Sequence, residues 1–153
     1  MRLFLFLLLA LPLLTGCQLF RKKHVEIWEE TTLNVMNQQV LFTGAVYALQ
    51  KEGFPVGMGA DAGQGLIITG WRVQESPFKG KGFRERATLR FAPGEDGVTS
   101  TVRVRVERET NESFRPTVQG SAVWERDEDQ KSVSRRILQY THSYLDPGTV
   151  IGD

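Results

Sequence analysis

The chain has 153 residues, the length of one ordinary domain, and its 19 basic and 18 acidic residues nearly cancel to a net charge of +1. No charge excess drives it toward nucleic acid, and a single cysteine excludes an internal disulfide and any site needing two thiolates.

Residues 1–20 read MRLFLFLLLALPLLTGCQLF. A positive start at Arg2, an apolar run over residues 3–14 broken only by Pro12, and the small Thr15 and Gly16 have the order of an export signal. The run is shorter than the roughly 20 residues that a permanent transmembrane helix needs. Leu14, Thr15, Gly16 and Cys17 resemble the lipobox of bacterial lipoproteins. That resemblance implies cleavage before Cys17 and lipid on Cys17, including palmitate, as the only covalent group. Acyl chains there would fix the chain to a membrane, since each buried methylene adds ~0.8 kcal/mol. An ordinary signal peptide with an incidental cysteine is the plainer reading. Gln18 stands where aspartate in Gram-negative lipoproteins often causes inner-membrane retention, which favours the outer membrane and a periplasm-facing domain. Arg21, Lys22 and Lys23 suit either anionic headgroups or a solvated tether.

The organisation expected is therefore a signal peptide over residues 1–16, a lipidated tether over 17–30, a domain over 31–146 and a tail over 147–153. A helix is predicted over residues 32–52, because Val35, Phe42, Ala45, Val46 and Leu49 share one face. Gly53 and Pro55 end it. Residues 54–59 and 66–73 read as a hairpin around a turn at 61–65. Gly57, Gly59 and Gly63 lack the spacing of a nucleotide loop, and a strand follows them where such a loop needs a helix. Asp61 is expected to bond its own turn backbone rather than to catalyse.

Two alternating strands come next. Ala87, Leu89 and Phe91 take one face, and Val102, Val104 and Val106 join them from the second strand across a turn at residues 93–97. Matching the apolar faces demands pairs with odd number sums, and the register expected sets Leu89 against Val102 and Ala87 against Val104. Arg86 then lies near Arg105, with Glu75, Glu85 or Glu107 as the nearby charges available to offset the pair. Arg86, Arg90, Arg103 and Arg105 become a strip on the outer face, read either as a solvated surface or as a contact for an acidic partner or lipid headgroup. Residues 109–113 are expected as a loop and 114–124 as a strand, with Pro116 confining it to an edge. Asp127, Glu128 and Asp129 place acid at the start of a last helix carrying Val133, Ile137, Tyr140, Thr141 and Tyr144, which ends at Asp146, Pro147 and Gly148. The fold class expected is α+β: a single two-layer, helix-grip-like domain with an antiparallel sheet packed by an N-terminal and a C-terminal helix.

The stretch GADAGQGLIITGW, followed by the strand with Arg84, Arg86 and Arg90, resembles the small repeated domain of the BamC family of the β-barrel assembly machinery. Asp61, Ala62, Thr69 and Trp71 carry most of the likeness, over roughly residues 32–145. It implies a helix-grip domain in an outer-membrane complex with a protein partner. The chain departs from that family in having one such domain instead of two.

No catalytic constellation is legible. His24 falls in the tether and His142 in the last helix, where a surface or packing role is expected, and no serine sits in a nucleophile elbow. The expectation is a non-enzymatic, lipid-anchored interaction module with no metal, no cofactor beyond the lipid on Cys17 and no nucleic acid. The alternative is a small-ligand binder with a pocket between helix and sheet lined by Trp71, Phe91 and Tyr140.

Overall fold

The computed structural model describes residues 24–75, 81–113 and 122–146. Cys17, the basic triplet at 21–23, Pro116 and the tail lie outside them, as does most of the strand expected at 114–124. Elements follow in the order β1 (Glu29–Leu33), α1 (Gln38–Lys51), β2 (Ala60–Asp61), β3 (Leu66–Ile68), β4 (Arg72–Gln74), β5 (Phe83–Pro93), β6 (Ser100–Asn111), β7 (Trp124–Arg126) and α2 (Lys131–Leu145). Among the described residues, seven strands form one antiparallel sheet in the order β1-β6-β5-β3-β2. β7 also pairs with β6, and β4 also pairs with β5. The α+β fold expected from the sequence is the fold observed.

The two long strands carry the architecture. Ala87 and Leu89 of β5 and Val102, Val104 and Val106 of β6 are fully buried on the inner face. Leu41, Ala45, Ala48 and Leu49 of α1, with Val133, Ile137 and Leu138 of α2, close over them. Full burial of each larger side chain contributes roughly 1.5–3 kcal/mol. Gly44 brings the helices close: a Cβ there would meet Leu145 Cγ at 3.1 Å and Tyr144 Cδ1 at 3.2 Å.

α1 begins later than the pattern suggests. Asn37 caps it, its Oδ1 accepting from the Gln39 N–H at 2.9 Å and the Val40 N–H at 3.3 Å. Its innermost stripe is Leu41, Ala45, Ala48 and Leu49, while Val35, Phe42 and Val46 pack at the margin. The end is as expected. Gly53 takes φ 78°, and the N–H groups of Gly53 and Phe54 donate to Gln50 O and Leu49 O at 2.9 Å, a Schellman closure.

Four other expectations are corrected. Residues 29–33, divided between tether and helix in the sequence reading, form β1 and pair along β6 from Glu29↔Val104 to Leu33↔Ser100. The continuous run at 66–73 is broken. Ile68 faces Thr88 while Arg72 faces Glu85, so an extra residue is accommodated between them as a bulge. The Thr69 hydroxyl fills the gap, accepting the Ala87 N–H at 3.0 Å and donating to Gly70 O at 2.9 Å. Residues 109–111 continue β6 instead of looping out.

The β5–β6 register keeps the expected faces but slides by two residues: Leu89 faces Val104, Ala87 faces Val106 and Phe91 faces Val102. The turn causes the slide. Asp96 Oδ1 accepts the Val98 and Thr99 N–H groups, both at 2.9 Å, and keeps those donors out of the ladder, so pairing starts at Pro93↔Ser100. Arg86 consequently faces Glu107, not Arg105.

Candidate outer-face interaction surface

Alternation along β5 and β6 puts Arg84, Arg86 and Arg90 on the sheet face away from the helices, opposite Glu109, Glu107 and Arg103. All four arginines of the expected strip, Arg86, Arg90, Arg103 and Arg105, share this face. Two of them are neutralised there. Arg86 Nη2 donates to Glu107 Oε2 at 2.9 Å. Arg105 Nε donates to Asp129 Oδ2 at 2.8 Å, and Arg105 also pairs with Glu26 at 2.6 Å. Burial pushes the Arg105 guanidinium down, but the Asp129 hydrogen bond and charge outweigh it and hold the group above its ordinary value. Arg126 joins the network, paired with Glu107 at 2.9 Å and with Asp129.

The other two arginines are not balanced in this way. Arg90 and Arg103 face each other directly and both are exposed. Glu30 lies 3.3 Å from Arg103. Among the described residues no carboxylate lies within ion-pair distance of Arg90, whose charge is felt at longer range by Glu26, the acceptor of the Trp28 indole N–H.

Tryptophans were the part of this surface hidden in the sequence. Each of the chain's three lies half-buried against these arginines. The Arg84 guanidinium sits 4.4 Å from the Trp71 ring centre and 4.7 Å from that of Trp124, and Arg86 sits 4.7 Å from Trp71. Trp28 lies 5.5 Å from both Arg90 and Arg103 and donates its indole N–H to Glu26 at 3.2 Å. The available signal was position: Trp71 and Trp124 flank the arginine strand in space once β4 and β7 pair at the same end of the sheet.

β1 is held against this face from its N-terminal side. The Ile27 N–H donates to Asp129 Oδ2 at 2.9 Å, and Asp129 is buried. Asp129, part of the acid expected at the start of α2, thus also binds arginines and the incoming chain. Gln130 occupies the cap position without a capping side-chain hydrogen bond, its Nε2 donating instead to Glu128 O at 3.0 Å.

Asp61 has its expected role, accepting the Gly63 and Gln64 N–H groups at 2.9 and 3.1 Å. Trp71 lies across the sheet from Phe91 and Tyr140, so those three do not line a common pocket: Phe91 and Tyr140 pack against the core on the helix side. A cleft of about 240 Å³ opens at the Trp124 end of the outer face, lined by Val73, Glu75, Arg84, Asn111 and Trp124 among others. His24 is exposed, and His142 is half-buried on α2 with its Nδ1 unpaired. Among the described residues no three His, Cys, Asp or Glu side chains come together as a metal site, and no helix is long and apolar enough to cross a membrane.

Compared with protein-family models and with curated proteins, the chain matches none.

Proposed function

We propose that this protein is a lipoprotein anchored through Cys17 in the outer membrane, with a periplasm-facing domain that serves as a non-enzymatic interaction module of an envelope complex. The resemblance to the BamC family suggests the kind of complex. The observation that carries the reading is the outer face of the sheet, where three tryptophans lie among arginines. Aromatic side chains and arginine are the residues enriched at protein contacts, and tryptophan is costly to leave at a surface with no use for it. Pairing most of these arginines to carboxylates holds the side chains in fixed positions, so less freedom is lost when a partner binds.

The test is a photo-reactive residue at Val73, on the outer face beside Arg84, in the full lipoprotein in its own cells. A second placement at Gln50, exposed on the helix layer, is the comparison. The expected result is one discrete envelope-protein adduct from Val73 and none from Gln50. Equal adducts from both, or none from either, would overturn the reading.

A further inference from the structure

The rungs of the outer face are unequal. Arg84 opposes Glu109 and Arg86 opposes Glu107, but Arg90 opposes Arg103. Like charges directly across a sheet are unfavourable. The Trp28 ring, 5.5 Å from each guanidinium, offers a π face; Glu26 on its indole N–H is engaged by Arg105 and reaches Arg90 only at longer range, and exposed Glu30 addresses Arg103. Two guanidiniums set beside one indole on an exposed face supply the paired N–H donors that a phosphate accepts. Indole is the side chain that settles at a membrane–water boundary.

The route of the chain selects the source of that phosphate. Trp28 is the last residue before β1, and the chain runs back from it through Lys23, Lys22 and Arg21 to Cys17. Eleven residue steps, at ~3.3–3.6 Å each, limit the separation of Trp28 from Cys17 to about 40 Å. An acylated Cys17 would keep this end of the face close to lipid, at a high effective concentration.

We infer that Arg90, Arg103 and Trp28 form a contact for the phosphates of anionic lipid headgroups in the leaflet that holds the anchor. This inference rests on the lipoprotein reading and adds an orientation to it: the Trp28 end of the sheet meets the membrane, and the Trp71 and Trp124 end is left for a protein.

The test uses the mature chain from residue 17 with Cys17→Ser, so that no acyl chain contributes. Co-sedimentation is measured with vesicles of equal parts phosphatidylglycerol and phosphatidylcholine, and with phosphatidylcholine alone. Binding is expected only to the mixed vesicles. Arg90→Gln and Arg103→Gln should each weaken it about fivefold, the effect of one basic residue near an anionic surface. Lys51→Gln on the helix layer removes the same charge and should leave it unchanged. Arg90→Gln should melt no lower than the parent, because it relieves a like-charge pair, so lost binding would not reflect unfolding.

An equal loss from Lys51→Gln would reduce the effect to net charge and overturn the inference. So would vesicle binding indifferent to Arg90 and Arg103. Inorganic phosphate shifting the Trp28 indole N–H resonance as strongly as vesicles do would point to a small-anion site and also overturn it. Failure of the lipoprotein reading would appear separately, as absence of palmitate on Cys17.

Discussion

Arg108 donates two hydrogen bonds to the Oε1 of Glu85, from Nε at 2.9 Å and Nη2 at 2.6 Å, on the inner face of the sheet. Arg72 pairs with the other oxygen, Oε2. The Glu85 side chain is only 1 % exposed, and Phe54 and Phe83 lie over the two guanidiniums at 4.3 and 4.1 Å. The apolar layer thus ends in a satisfied ionic cluster. Truncating the buried member leaves Arg72 and Arg108, each about a quarter exposed, without their shared counter-charge, and breaking a buried pair costs at most ~3–5 kcal/mol. Glu85→Ala should therefore lower the denaturation midpoint more than Glu109→Ala, which removes a single pairing, with Arg84, from a half-buried carboxylate. Chemical denaturation of both variants checks this.

Thr69 makes a similar contribution with one hydroxyl. Thr69→Val keeps the shape but leaves the buried Ala87 N–H without its acceptor. A loss of ~1–3 kcal/mol is expected. Amide exchange at Ala87 should accelerate more than at Leu89.

Two glycines should respond differently to alanine. Gly53 (φ 78°) has only Arg72 Cδ near, at 3.8 Å, so Gly53→Ala carries the left-handed backbone cost alone, ~1–2 kcal/mol. Gly65 (φ 60°) would also press a Cβ to 2.9 Å from the Phe91 carbonyl oxygen, while its own carbonyl accepts the Phe91 N–H at 2.8 Å. Gly65→Ala should be the more damaging in thermal melts.

Acid should loosen the link between β1 and α2. Burial pushes the Glu29 carboxyl up, but hydrogen bonds and charge from Arg135 and Lys131 outweigh it and hold the group below its ordinary 4.5. A carboxyl lowered on folding stabilises above its unfolded value and loses that contribution as pH falls through the folded one. Part of the stability should therefore disappear below about pH 4.5, and Glu29→Gln should flatten that part of the profile. Denaturation midpoints measured from neutral to acid pH for both proteins would show it.

The sequence revealed the layers better than the joints. Alternation in β5 and β6 declares which residues face the core, because an apolar face must be buried whatever its exact pairing. It leaves the two-residue slide open, since that depends on where Asp96 bonds the turn. β1 gave no signal: Glu29 and Thr31 occupy its inner positions, and only Leu33 is apolar and buried. Asp129 read only as acid at a helix start, because nothing local shows that Arg105, from another strand, reaches it. The arginine strip was legible residue by residue, with Glu107 among the charges available to Arg86, but the pairing of Arg105 with Asp129 and the interleaving with Trp28, Trp71 and Trp124 arise only from contacts between distant segments.

Anchoring underlies both the proposed role and its orientation. The direct measurement is labelled palmitate fed to cells making the protein or its Cys17→Ala variant, followed by purification and separation of the membranes. The expected outcome is label and outer-membrane residence for the parent, and neither for the variant. A parent without label, or a variant that keeps it, would contradict the account.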